Sequence, residues 1–226
     1  MLFKCNPKAT VNEGGHGTVA SKVGKHLKVD IHCHLHVPEA DQMLPQQDDQ
    51  DMSKLYMASN ELTADINRQL HQQILPQLTD PAVRLADMDR CGIDVQAISP
   101  APFHYNYHYD AEFTRETSHT VNDRVAEVVA TNPDRFAGMC TVPLQNCGMA
   151  VAELERCVRE HGMRGVEIST NVNGKELTRA GLESFFAKVE ELSVMIFMHP
   201  IGTTLNERMR DHYFTNLIGL QVTEVA

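Results

Sequence analysis

DPAVRLADMDRCGIDVQAIS, residues 80–99, holds one complete helix-to-strand unit. Asp80 offers a side-chain oxygen to the first unpaired N–H groups of a helix. Pro81 suits the first helical position, where a missing N–H costs nothing. The helix stops where Gly92 can adopt the left-handed backbone that an L side chain resists. IDVQAIS then follows as an apolar strand, and Pro100 ends it. An apolar strand fed by a capped helix is the repeating unit of a parallel sheet covered on both faces.

The unit recurs downstream. Asp110 caps a predicted helix over 111–131 that Asn132-Pro133 closes, and FAGMCTV (136–142) follows as a strand ended by Pro143. A helix over 148–160 carries Val151, Leu154, Cys157 and Val158 at helical spacing and stops at Gly162. RGVEIST (164–170) is the fourth strand. Thr178 is expected to cap a helix with Leu182, Phe185, Phe186 and Val189 on one face. VMIFM (194–198) is the fifth strand and runs straight into His199-Pro200. Residues 216–225 have room for one further half-unit.

Upstream, KVDIHC (28–33) is the first strand, and Pro38 prevents its extension. Residues 37–79 are read as an insertion over a barrel mouth, helical over 52–75 and ended by Pro76. Residues 1–27, polar and without periodicity, are read as a flexible N-terminal arm. The fold class is therefore α/β. A closed (β/α)8 TIM barrel needs eight strands and typically about 250 residues. Residues 28–226 are accordingly expected to supply the first five to six βα units of such a barrel, or else an open doubly wound sheet.

The chain has 226 residues, of which 42% are hydrophobic and 22% charged, enough for one sizeable core. A net charge of -10 without a long basic run argues against a nucleic-acid partner. No stretch approaches the roughly 18 consecutive apolar residues of a membrane span, and the N-terminus lacks the apolar middle of a secretory signal, so a cytoplasmic location is expected. The six cysteines form no CxxC pair and read as reduced, mostly core residues.

The 12 histidines carry the chemistry. In VDIHCHLH (29–36), His32 and His34 lie two apart on a strand and share a face, with Cys33 on the other. His36 has the same parity but falls where the strand breaks, which makes it a lip residue rather than a ligand. His199 also ends an apolar strand. In a parallel barrel such ends converge on one face, where active sites lie. His32, His34 and His199 are thus candidate ligands of one divalent metal, and they favour the barrel over the open sheet. Imidazole suits zinc, with iron or nickel as alternatives, and a catalytic zinc keeps a position open for water or substrate.

Several of these stretches, in this order, resemble the amidohydrolase superfamily, and within it the aminocarboxymuconate-semialdehyde decarboxylase group. VDIHCH resembles its strand-one metal motif. DPAVRLADMDRCGIDVQAIS resembles a D-P-x-x-R helix followed by M-D-x-x-G-[IV]-x-x-Q. NPDRFAGMCTVPLQNCGMAVAELERCVREHGMRGVEISTNVNG (132–174) is similar along its length, and FMHP resembles the next metal-ligand motif. The resemblance covers about 28–225. It implies a TIM barrel of the metal-dependent hydrolase type with one divalent metal, usually zinc. It also implies nonoxidative decarboxylation of an aromatic or muconate-type carboxylic acid, that is, a carboxy-lyase. It assigns His32, His34 and His199 to the metal, and places a further catalytic His and a metal Asp beyond Ala226. No catalytic acid is thereby assigned in this chain. The group's substrate-clamping arginines precede the D-P-x-x-R segment, whereas QQILPQLTDP offers only Arg68 nearby, which points to a carboxylate other than aminocarboxymuconate.

Strand ends supply the other candidates. Phe103, with His104, Tyr105 and Tyr107, follows strand two, and Thr170 and Asn171 end strand four; of these Phe103, Thr170 and Asn171 are taken as substrate contacts. Arg84 and Arg164 read as structural. The expected partner is a small-molecule carboxylic acid. Two other readings stand beside the decarboxylase. One is a metal-dependent hydrolase of a lactone or amide on the same scaffold. The other is an inactive, shortened relative that acts by association through exposed strand edges, consistent with a homo-oligomer.

Overall fold

The computed structural model describes residues 27–45, 60–201, 206–220 and 222. Strands β1 (Val29–Leu35), β2 (Val95–Pro100), β3 (Phe136–Cys140), β4 (Gly165–Ser169) and β7 (Met195–His199) form one five-stranded sheet in the order β1-β2-β3-β4-β7. Every neighbouring pair in it is parallel. Helices α1 (Pro38–Asp41), α2 (Glu61–Thr79), α3 (Pro81–Cys91), α4 (Ala111–Thr131), α5 (Cys147–His161) and α6 (Glu183–Leu192) lie between the strands in the chain. Chain order equals sheet order, as in a barrel. The edge strands β1 and β7 share no ladder, yet His32 of β1 stands 5.3 Å from Phe197 of β7, centroid to centroid. The sheet is therefore curled, and the architecture is the first five βα units of a barrel, not an open doubly wound sheet.

The elements form where local chemistry asks for them. Asp80 Oδ1 accepts from the Ala82 N–H at 2.8 Å, and Gly92 closes α3 at φ 68°. Asp110 and Asn146 cap α4 and α5 by accepting from the N–H groups of Phe113 and Met149. Each such cap is worth about 1 kcal/mol. Val121, Val125 and Val128 of α4, Leu154 and Cys157 of α5, and Leu182, Phe185 and Val189 near or on α6 are buried in one core with Ile98, Val166 and Ile168. Truncating such a residue to Ala costs about 2–5 kcal/mol. β4 is buried along its whole length, the mark of a strand covered on both faces.

Four expectations need correction or bounding. Helix α2 does not end before Pro76 but runs through it to Thr79. Pro76 removes the N–H that would bond the Gln72 carbonyl, and further on the Thr79 hydroxyl donates to the Leu75 carbonyl at 2.9 Å. The residues 52–59 assigned to its start lie outside the described residues, as do 1–26 of the proposed arm. Thr178 does not cap a helix: Leu177–Arg179 is a 3-10 turn, Gly181 breaks the path at φ 72°, and α6 starts at Glu183. Between β4 and this turn stands a hairpin, β5 (Asn171–Val172) with β6 (Lys175–Glu176), antiparallel. Beyond β7, helix α7 (Asn206–Met209) and a π-helical turn (Thr215–Gly219) occupy the region of the expected half-unit, with no sixth barrel strand among the described residues. No described helix is long and apolar enough to cross a membrane.

Candidate metal centre

His32 and His34 leave β1 on the same face, and their Nε2 atoms stand 3.0 Å apart. His199, the last residue of β7, closes the group, with ring centroids 5.2 Å from His32 and 5.0 Å from His34. One nitrogen from each lies within 4.8 Å of the others. The second nitrogens fix the tautomers. His34 Nδ1 stands 3.2 Å from the Pro100 carbonyl and 3.1 Å from Ser99 Oγ, and His199 Nδ1 stands 2.9 Å from the Pro200 carbonyl. A carbonyl oxygen only accepts, so Nδ1 carries the proton in both rings and Nε2 presents a lone pair. Burial, then the neighbouring imidazoles His199 and His32, hold His34 well below the usual imidazole range. His199 is lowered to about 4, mainly by burial. Both rings are neutral at pH 7, the form in which imidazole binds a metal.

The backbone under the group is braced. Arg84, buried on α3, donates from Nη2 to the His34 carbonyl at 2.6 Å and from Nη1 to Gln96 Oε1 at 3.2 Å. Its structural role is thus specific to the ligand strand. Cys33 points away from the histidines, as strand parity requires, and its Sγ donates to the Ala97 carbonyl at 3.2 Å. Burial raises its pKa well above the thiol range, so it is not a thiolate ligand.

Beneath the histidines lies a group not anticipated in the sequence. Glu167, in the middle of β4, is fully buried. Tyr105 donates its hydroxyl to Glu167 Oε1 at 2.6 Å, and the Ser99 hydroxyl lies near enough to the carboxyl to lower its pKa. Glu167 Oε2 stands 3.5 Å from His34 Nδ1 and makes no hydrogen bond of its own. Burial outweighs the two hydroxyls and pushes the carboxyl up to about 7. The signal was available: a lone carboxylate inside the apolar run RGVEIST is costly unless it has partners.

Comparison with known proteins fits this geometry. Residues 29–220 match the amidohydrolase family model. The chain belongs to the amidohydrolase family. It is 32% identical over 155 residues to the 2-amino-3-carboxymuconate-6-semialdehyde decarboxylase of Dictyostelium discoideum, covering 69% of this chain and 43% of that one. It is 33% identical over 132 residues to a gamma-resorcylate decarboxylase of Polaromonas, covering 56% of this chain and 40% of the other. Among solved structures, the 5-carboxyvanillate decarboxylase of Novosphingobium aromaticivorans, with bound manganese, aligns at TM-score 0.70 and 26% identity, covering 88% of this chain and 59% of that one. The chain thus spans about 40–60% of the length of these relatives.

For an amidohydrolase, the donor set fits a divalent metal: three clustered imidazoles, with tautomers already fixed on His34 and His199. Among the described residues a second histidine group, His36, Asp41 and His104, has comparable spacing. It is held by direct bonds instead. His36 Nε2 and Asp41 Oδ2 are 2.5 Å apart, and His104 Nε2 accepts the Val37 N–H at 3.1 Å. That places the His104 proton on Nδ1, the nitrogen that faces Asp41, and removes its lone pair from the group. His36 falls just past the end of β1, where the strand was expected to break.

Phe103 sits in a 3-10 turn (Pro102–Tyr105) with its ring against His36 and His104, at 4.9 and 4.5 Å. It therefore packs on the lip cluster, while Tyr105 of the same turn faces Glu167. Thr170 follows β4 directly, and its Oγ1 is buried without a partner. Asn171 Oδ1 accepts the Gly174 N–H at 3.0 Å and so helps close the β5–β6 hairpin. His104, Tyr105 and Tyr107 are buried, so this aromatic loop is an inner wall and not a surface feature.

Proposed function

We propose that this chain carries the metal-binding part of a nonoxidative carboxy-lyase acting on an aromatic or muconate-type carboxylic acid. The convergence of His32, His34 and His199 above a curled parallel sheet carries the proposal, and the decarboxylase relatives supply the reaction class. A bound divalent ion supplies Lewis acidity toward a substrate oxygen. Zinc is the metal proposed for a three-imidazole set, with manganese as the alternative that the solved relative contains. His34 and His199 present lone pairs and hold their own protons on Nδ1, so neither is the proton donor to carbon. Phe103, Thr170 and Asn171 are proposed to contact the substrate from the ends of β2 and β4. The unmatched Thr170 hydroxyl offers a donor to a carboxylate or phenolate oxygen. A homo-oligomer and a cytoplasmic location are proposed with it.

The test is product analysis of the metal-loaded chain with gamma-resorcylate and 5-carboxyvanillate. Carbon dioxide with the matching decarboxylated phenol supports the lyase. A product that has gained water supports the hydrolase on the same scaffold. No turnover by the loaded chain would sink the enzymatic role of these residues on their own.

A further inference from the structure

Glu167 is an expensive residue where it stands. It is fully buried in a strand whose flanks are apolar, and one of its oxygens has no hydrogen bond. The surrounding geometry shows what it faces. His34 and Ser99 are register partners on β1 and β2, so Ser99 lies beside the metal histidine on the same face. Ser99 Oγ is 3.1 Å from His34 Nδ1, and its hydroxyl lies near enough to the Glu167 carboxyl to act on its pKa. A hydroxyl both accepts and donates, so it can take the Nδ1 proton's bond and pass its own to the carboxyl. Tyr105 fixes the far oxygen at 2.6 Å, which leaves Oε2 aimed at the ring, 3.5 Å away. The gap is too long for a direct hydrogen bond, and a turn of the Ser99 hydroxyl, which already reaches Nδ1, would link the two.

We infer that Glu167, acting through Ser99 and braced by Tyr105, is a positioning residue that holds the His34 ring and its Nδ1–H tautomer for metal binding. The inference rests on the three-histidine centre proposed above. A ligand histidine held by an outer carboxylate keeps its ring orientation and gains basicity, and removing such partners weakens metal binding about 10–100-fold. Glu167→Gln keeps the shape and replaces the carboxyl opposite Nδ1–H by an amide. Ser99→Ala removes only the bridge.

The experiment is cobalt(II) binding to the full chain by chelator competition, with the visible spectrum of the saturated protein recorded for wild type, Glu167→Gln and Ser99→Ala. The expected result is affinity lower by about 10–100-fold in Glu167→Gln and by about tenfold in Ser99→Ala, with the cobalt band shifted in both. A purely structural role would lower the melting temperature of the metal-free protein and leave the band in place. If both variants fold and bind cobalt like wild type, with an unmoved band, the inference is overturned. If Glu167→Gln does not fold, Ser99→Ala decides alone. If wild type itself binds no cobalt, the three-histidine centre falls and the inference with it, an outcome distinct from loss of the variant effect.

Discussion

His34 and His199 meet with ring centroids 5.0 Å apart, although their strands are the two edges of the sheet and share no ladder. Only the curl of the sheet brings them together, so the centre depends on every intervening strand. Each ring is held neutral by burial and by its neighbours. One divalent ion per chain is expected by elemental mass spectrometry after dialysis against zinc or manganese. His199→Ala is expected to weaken binding by more than the roughly 100-fold upper range seen for outer partners, because it removes a ligand itself. Full occupancy in His199→Ala would place the metal elsewhere.

Gly165 sets how closely β7 lies against β4. A Cβ there would stand 3.0 Å from the Met195 carbonyl and 3.1 Å from Met139 Cγ. A backbone carbonyl in a ladder cannot yield as a side chain can. Gly165 and Met195 are register partners, and Ser169 and His199 are partners at the other end of the same ladder. Gly165→Ala is therefore expected to lose about 1–3 kcal/mol in urea unfolding and to weaken metal binding by moving His199. A variant with unchanged stability and affinity would show that the strands have slack at this point.

The parts of this fold visible in the sequence are those with local causes. Asp80, Gly92, Asp110 and Gly162 mark helix ends because the capping bond or the left-handed backbone is made within a few residues. The three clustered histidines were visible because strand parity and strand ends are also local. Glu167 was missed because its meaning depends on Ser99 and Tyr105, 68 and 62 residues away in the chain, which only the folded sheet supplies. The β5–β6 hairpin was missed for another reason. Asn173 and Gly174, at φ 52° and 78°, form the Asn-Gly pair that favours a two-residue turn, but strands of two residues leave no period to detect.

His104 gives the acid limb of stability a named source. It is fully buried, accepts the Val37 N–H, and is lowered from 6.5 to about 3 by burial. Between those values the unfolded chain takes up a proton that the folded one refuses, so stability falls as pH drops from 6.5 toward 3. In the metal-free protein His199 adds to this down to about 4. Glu167 acts in the opposite sense: raised from 4.5 to about 7, it keeps a proton that the unfolded chain releases, so it favours the fold as pH falls from 7 to 4.5. His104→Gln, whose side-chain oxygen can still accept from Val37, is expected to lose less stability than wild type between pH 6.5 and pH 4. Urea midpoints across this range measure it, and parallel curves for the two proteins would remove His104 as the source.

The sheet edges bear on association. On β1, Val29 and Ile31 are 46% and 49% exposed, and on β7, Met195 and Met198 are 43% and 55% exposed. These side chains flank strand edges whose outer N–H and C=O groups have no ladder partner among the described residues. Such an edge pairs readily with another strand, and each methylene it buries adds about 0.8 kcal/mol. The chain is therefore expected to associate with itself as its concentration rises, in sedimentation velocity runs over a wide concentration range. Ile31→Lys and Met198→Lys place a charge on each edge and are expected to shift the equilibrium toward monomer by about tenfold or more, since leaving two methylenes unburied already costs more than 1.4 kcal/mol. Wild type that stays monomeric throughout would refute self-association. Association that survives both lysines would move the contact to another face and leave the edges of β1 and β7 without this role.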